Sequence, residues 1–213
     1  VIAVEKINGF MCAITFVPEY GVLVSTTGSL DSPFVTLAKE HINERLLNWV
    51  LAQQDHTTYL FEVCDQDKDP HIIEEGRGLH LIGARNVHTG ELASQENLDD
   101  IQEKIGDAGV ITRRPNWNVT SFGTVLHWTK ASQNEGYVCY GKTTTLKVKT
   151  PFYLTAKFLA RCKPDKLEHA LENRQRVDEE FYPLLDKIKA DKTHFDSLDE
   201  QARLAYIRAF FYD

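Results

Sequence analysis

The first third of the chain alternates short apolar runs with polar breaks. Val1-Ile2-Ala3-Val4 and Phe10-Met11-Cys12-Ala13-Ile14 are apolar runs of strand length, parted by Glu5-Lys6-Ile7-Asn8-Gly9. An Asn-Gly pair between two such runs is a hairpin signal. With Pro18-Glu19-Tyr20-Gly21 as the next turn, it predicts an antiparallel meander over 1–7, 10–17 and 21–27. Asp31-Ser32-Pro33 then opens a helix over 33–53, with Phe34, Leu37, Ile42, Leu46, Trp49 and Val50 at core-facing helical spacing.

Further along, Tyr59 to Cys64 and Gly78 to Val87 read as strands, the second followed by a hairpin turn at His88-Thr89-Gly90-Glu91. The acidic stretch Asp65 to Pro70 lacks the glycine and closing glutamate of a calcium loop and reads as a solvated loop. Asn97 to Ile105 reads as a short helix, Val110-Ile111-Thr112 is strand-like, and Trp117, Phe122 and Trp128 are core or pocket aromatics. Tyr153 to Cys162 is helical. A helical tail follows, with segments near 165–190, interrupted by Pro183, and 196–212, where Ser197 to Glu200 has capping-box spacing. The pattern is that of an α+β protein: one antiparallel-sheet domain over 1–163 and a small helical C-terminal appendage over 164–213.

Composition narrows the setting. The 213 residues carry a formal net charge of −7, which argues against indiscriminate nucleic-acid binding. Lys142, Lys147, Lys149, Lys157, Arg161 and Lys163 nevertheless fall in a stretch without an acid, so a polyanion is expected there and not at the acid-rich tail. The basic residues of 157–163 are equally compatible with a solvated helix face. The four cysteines are scattered without zinc spacing and read as reduced core thiols of a cytoplasmic or nuclear protein. No apolar run reaches membrane-spanning length, and no membrane partner is expected.

Candidate chemistry begins at Lys6. A lysine where a strand gives way to a turn is partly desolvated, and burial favours the neutral, nucleophilic amine. Glu62 is an acid inside an apolar strand, either ion-paired or functional. His80 reads as a satisfied strand histidine. Glu135 stands next to Gly136 at the start of an apolar strand, and Lys147 and Lys149 alternate onto one strand face. Two ammonium groups on one face call for an anion between them, and phosphate fits.

In this order the motifs resemble the covalent nucleotidyltransferase superfamily of ligases and capping enzymes. Lys6-Ile7-Asn8-Gly9 looks like motif I, K-x-D-G, with Asn8 in place of the usual Asp. Leu60-Phe61-Glu62-Val63 resembles motif III, Glu135-Gly136-Tyr137-Val138 motif IV and Leu146-Lys147-Val148-Lys149 motif V. The nearest resemblance is to RNA ligases of the phage T4 RNA ligase 1 type and the ligase domain of fungal tRNA ligases, carried by the E-G-Y-V motif and by Pro151-Phe152-Tyr153 after motif V. It covers roughly residues 1–160.

That resemblance implies an antiparallel-sheet nucleotidyltransferase domain and an ATP-dependent RNA ligase. Such an enzyme joins 5′-phosphate and 3′-hydroxyl RNA ends through a lysyl-AMP intermediate on Lys6, in RNA repair or tRNA splicing. It implies nucleotide contacts from Glu5, Lys6, Ile7, Gly9, Glu62, Leu81, Glu135, Lys147 and Lys149, with Leu81 and Ile82 as walls of a base pocket. Lys147 and Lys149 would act in catalysis beside Lys6, and Glu135 would hold Mg2+ or Mn2+. Asn8 and Gly9 would let the backbone turn beside the phosphate, Asn8 without the charge of an Asp. Thr27 stands where the family often places a phosphate-binding lysine. The substrates would be single-stranded or tRNA-like RNA ends, with a fused or separate end-healing kinase or phosphatase. Relatives of the T4 type carry a segment before motif I that helps hold ATP, so the resemblance also implies a fragment lacking its upstream segment. The alternatives are a capping enzyme or DNA ligase, or a non-catalytic nucleotide- or RNA-binding domain of the same fold.

Overall fold

A computed structural model describes residues 1–53, 56–106, 112–174, 177 and 179–212. The expected strand at Val110-Ile111 lies outside the described residues. The chain forms two compact units, Val4–Asn118 and Val1–Ala3 with Val119–Asp213. The chain passes from one to the other within its first strand, β1 (Ile2–Glu5), and again within β7 (Trp117–Val119).

The Val4–Asn118 unit is built on a five-stranded sheet of β2 (Phe10–Val17), β3 (Gly21–Thr26), β4 (Thr57–Cys64), β5 (Gly78–Asn86) and β6 (Thr112–Arg113), in the order β3-β2-β4-β5-β6. All pairings are antiparallel except β5 with β6. Strand alternation sends Cys12, Ile14, Tyr59, Phe61, Val63, Leu79 and Leu81 to one face. They pack there against Val35 and Ala38 of α1 (Pro33–Glu40), Leu46 and Val50 of α2 (Glu44–Gln53), and Leu98 and Ile105 of α3 (Gln95–Ile105). The other face carries Met11, Glu62 and His80 in one cross-strand row and Ala13, Leu60 and Gly83 in the next.

Three local expectations change. β1 does not form a hairpin with β2. It joins a second sheet, ordered β7-β1-β8-β9, with β8 (Gly136–Tyr140) and β9 (Thr145–Lys149). The expected single helix over 33–53 breaks at His41-Ile42-Asn43. There Asn43 Oδ1 accepts from the Leu46 amide at 2.7 Å and restarts the helix, while His41 Nε2 is held by Asp65 at 3.0 Å. The acidic loop is not simply solvated, because Asp65 is buried. Burial alone would raise its carboxyl. The Lys68 amide, His41 and Arg77 outweigh that and hold it below the usual carboxylate range.

In the other unit, Ala3, Val125 of α4 (Phe122–Ala131), Tyr137 and Cys139 form a small core with Trp128 and Val148 against it. The tail is not an appendage separated at residue 164. α5 (Pro151–Arg161) packs on α9 (Glu200–Tyr212), and the intervening α6 (Pro164–Asn173), α7 (Tyr182–Ala190) and α8 (Lys192–Ser197) bury Leu167, Leu184, Ile188 and Phe195. Pro183 does not interrupt a helix. It sits in the first turn of α7, where its missing amide costs nothing, and the preceding helix ends at Arg174 in the left-handed conformation (φ 53°). The cap of α9 is Asp199, whose carboxylate accepts from the Ala202 amide at 2.8 Å, and not Ser197.

Candidate active site

Lys6 lies one residue beyond β1, half-exposed, and its Nζ approaches the Ile7 carbonyl at 3.4 Å. The backbone is fixed on both sides of it. Before it, the Glu5 amide donates to the Asn116 carbonyl at 2.9 Å, and the Glu5 carboxylate accepts from Asn116 Nδ2 at 2.9 Å. After it, Ile7 is buried, the Asn8 amide donates to Glu75 at 3.2 Å, and Asn8 Oδ1 accepts from the Ile73 amide at 2.9 Å. The Gly9 amide then donates to Glu62 Oε1 at 3.2 Å. A lysine whose neighbours are tied by five hydrogen bonds to four residues presents its amine from a rigid base, as a nucleophile needs.

Two roles expected for this segment change. Asn8-Gly9 is not a tight hairpin turn, and Asn8 spends its side-chain oxygen on the 73–75 loop. Gly9 is required for another reason: a Cβ there would stand 2.1 Å from the Val63 carbonyl oxygen, so only glycine lets the segment lie against β4. Glu62 is half-buried on the non-core face, and the amide of Gly9 ties it to the Lys6 segment.

Leu81 has no exposed surface and belongs to the core, so it has nothing to offer a base. The register slips between Leu60 and Phe61, which leaves Ile82 as the extra residue of a bulge, half-exposed and beside Gly83. Of the two apolar candidates, Ile82 is the accessible one. Thr27 is exposed in the turn after β3.

His80 pairs across the strands with Glu62. Its Nε2 meets the Gly76 carbonyl at 2.8 Å, which selects the Nε2–H tautomer and leaves buried Nδ1 an acceptor without a hydrogen-bond partner among the described residues. Burial pushes its pKa down. His80, Glu75 and Asn116 were not found by sequence reasoning as parts of this neighbourhood. Only the isolated histidine in an apolar strand gave any signal.

In the other unit, Glu135 precedes β8 and is almost fully buried. Gly136 follows at φ +139°, and a Cβ there would meet the Val148 carbonyl oxygen at 1.9 Å, so the two strands close only around glycine. Lys149 Nζ lies 3.1 Å from Glu135 Oε1 and 4.6 Å from the Tyr153 ring centroid. Burial alone would lower the Lys149 pKa, but the Glu135 carboxylate and Tyr153 outweigh it and raise it. The expectation of two unneutralised lysines is therefore corrected: Lys149 already has a carboxylate partner, and Lys147 is the exposed cation of the strand. Thr150 fixes this corner, donating to the Asn134 carbonyl at 2.6 Å and capping α5 at Tyr153.

Among the described residues no group of three or more His, Cys, Asp and Glu forms a metal cage. A cation carried on nucleotide phosphates does not need one, since Mg2+ takes one or two carboxylates and fills its shell with phosphate and water. Glu135 carries the carboxylate chemistry that such a cation takes. The cysteines are free thiols, with burial pushing Cys12 up to about 12.

The RNA ligase family model matches residues 1–161. The chain belongs to the RNA ligase family. No curated protein matches it in sequence. Among solved structures this RNA ligase family member resembles an archaeal ATP-dependent RNA ligase (TM-score 0.59, 15% identity), over 97% of this chain and 56% of that one. It also resembles a Naegleria gruberi RNA ligase with PPi (TM-score 0.54, 9% identity), over 72% of this chain and 50% of that one. A lysine-to-alanine mutant of the Naegleria ligase with ATP and Mn matches at a TM-score of 0.55 and 10% identity, over 72% and 50% of the two chains. The chain thus spans about half the length of these ligases. Its antiparallel-dominated α+β architecture is that of RNA-ligase nucleotidyltransferases. No helix among the described residues is long and apolar enough to cross a membrane.

Proposed function

We propose that this chain carries the adenylyl-transfer chemistry of an ATP-dependent RNA ligase, with Lys6 as the nucleophile. The observation that carries the reading is the fourfold anchoring of the backbone around Lys6, by Asn116 on one side and by Ile73, Glu75 and Glu62 on the other. In a chain of this family, that anchoring serves a reacting amine.

The neutral Lys6 amine attacks the α-phosphorus of ATP. A nitrogen–phosphorus bond forms, the α–β phosphoanhydride breaks, pyrophosphate leaves and the nitrogen gives up a proton. The 5′-phosphate of an RNA end then attacks the lysyl-AMP phosphorus and takes the adenylyl group, releasing the lysine. A 3′-hydroxyl attacks that 5′-phosphate, and AMP leaves with the bonding electrons. Each transfer places charge on non-bridging oxygens, which standing cations stabilise without reorganisation. Lys147 is exposed for that task, while Lys149 is paired with Glu135 and reaches phosphate as that contact loosens. A divalent cation held by Glu135 would supply Lewis-acid stabilisation of the phosphates. The substrates are RNA ends, single-stranded or tRNA-like.

Incubation with ATP and Mg2+ or Mn2+, followed by intact mass measurement, tests the first step. The expected result is a gain of one AMP that disappears in Lys6→Ala and with GTP in place of ATP. A gain with GTP would make the protein a capping-type guanylyltransferase. Pre-adenylated RNA, which bypasses ATP, tests the last step. Neither AMP gain nor sealing in a chain extended to the length of the solved ligases would overturn the reading in favour of a binding domain.

A further inference from the structure

One face of α5 does not look like a solvated helix surface. Phe152, Tyr153, Ala156, Leu159 and Ala160 bury its inner side. Leu154, Lys157, Phe158 and Arg161 follow at the spacing that places them together on the other side. They line a cavity of about 440 Å3, which Lys163 and Lys166 close from the start of α6. Leu154 is 50% exposed in its floor, and Phe158 is half-buried there. Arg161 is bonded to Glu200 at 2.6 Å, while Lys163 precedes α6 without capping it through its side chain. Among the described residues, no acid lines the cavity.

We infer that this groove docks a single-stranded RNA segment. The argument is complementarity: cations on the rim match the phosphates, and an apolar floor with one aromatic ring matches the face of an unstacked base. A duplex keeps its bases stacked inside and has no use for such a floor. A basic rim around an apolar strip also suits an anionic lipid surface, but the strip offers only Leu154 and half-buried Phe158, far less apolar area than a membrane-binding helix face presents. The groove starts inside the span that matches the family and ends beyond it, at Lys163 and Lys166. The choice of RNA among polyanions rests on the ligase reading, whereas the groove itself does not.

The test is binding of a short labelled oligouridine, without ATP, across a salt series. Lys157→Gln, Lys163→Gln and Lys166→Gln together remove three cations of the rim, Lys163 and Lys166 exposed and Lys157 half-buried over the Tyr153 ring. At roughly 0.7 per phosphate contact, the slope of log affinity against log salt should fall by about 2, with binding weaker by about 100-fold near 0.1 M salt. Phe158→Ala should weaken binding by about tenfold or more without changing the slope. Cys162 provides an independent readout. It lines the groove and is partly exposed, while Cys12, Cys64 and Cys139 are buried, so alkylation of the folded chain reports on Cys162. Oligouridine should slow that alkylation. Unchanged affinity and slope in the triple variant, or alkylation indifferent to RNA, would overturn the inference. So would protection of Cys162 by phosphatidylserine vesicles but not by RNA. If the extended chain neither gains AMP nor seals pre-adenylated RNA, yet binds RNA through these lysines, the ligase reading falls and the groove stands. AMP gain with RNA binding indifferent to the lysines gives the reverse.

Discussion

Gly9→Ala is the sharpest test of how the Lys6 segment is held. A methyl group at this position would lie 2.1 Å from the Val63 carbonyl oxygen and 2.9 Å from its carbon, both backbone atoms that cannot rotate away. To reach even 3.0 Å, the segment and β4 must part by about 1 Å. The Gly9–Glu62 hydrogen bond, at 3.2 Å, has no slack for such a shift. Losing a hydrogen bond to a carboxylate costs about 1.5–3 kcal/mol, and overpacking strain adds about 1–3 kcal/mol, so a total of about 2.5–6 kcal/mol is expected, with about 3 kcal/mol as a conservative figure. The same shift moves Lys6, and a misplacement of about 1 Å at a reacting group costs on the order of 100-fold in rate.

Hydrogen exchange of the β2 and β4 amides measures the first effect locally, and should accelerate by about 100-fold if the loss is near 3 kcal/mol. The rate of AMP gain measures the second. Gly28→Ala is the matched control, because a Cβ there meets nothing within 4 Å, and it should leave both readouts unchanged. If Gly9→Ala exchanges and adenylates like the parent, the close approach does not constrain the segment and the anchoring argument fails.

Other consequences can be measured directly. Lys149→Met and Glu135→Gln, combined in a double-mutant cycle, should show a coupling of about 1–2 kcal/mol; a value under about 0.5 kcal/mol would refute the pair. Because the folded-state pKa of Lys149 is raised, the pair's contribution is complete below the ordinary lysine value of about 10.4 and is lost as pH rises through the folded value. His80 titrates in the opposite sense. Its folded pKa is depressed, so stability should fall as pH drops below about 6.5, and His80→Gln should flatten that decline in urea titrations. Asn43→Ala removes the oxygen that caps α2 and should cost about 1 kcal/mol, seen as a lowered melting temperature.

Much of the fold was legible because strand and helix periods are local. β2, β4, β5 and α5 fall where alternation and helical spacing put them. Pairing partners are not local. Val1-Ile2-Ala3-Val4 is an apolar run like any other, and nothing in its composition says that it leaves β2 for a different sheet. The Asn-Gly pair misled for the same reason: these residues suit a tight turn, but Asn8 serves the 73–75 loop and Gly9 serves the approach to Val63. Asn43 and Asp199 were hidden by function of another kind, since a cap is one side-chain oxygen in a polar context that resembles any surface residue.

The candidate site divides along the same line. The residues with charge in an unusual setting were visible: Lys6 at a strand end, Glu62 in an apolar run, and Glu135 with Lys149 around a glycine. What positions them was not visible, because those partners come from elsewhere in the chain. Glu75 and Asn116 hold Lys6's neighbours from 67 and 111 residues away. The Lys149–Glu135 contact likewise turns an expected pair of bare phosphate-binding cations into one shielded and one exposed lysine. Under the proposed mechanism, that difference separates the two lysines. Lys147 is available to a polyanion at once, whereas Lys149 must loosen from Glu135 before it gives its charge to phosphate. Replacing Lys147 should therefore weaken phosphate binding alone, and replacing Lys149 should also lower stability, by taking a cation from beside the buried Glu135 carboxylate.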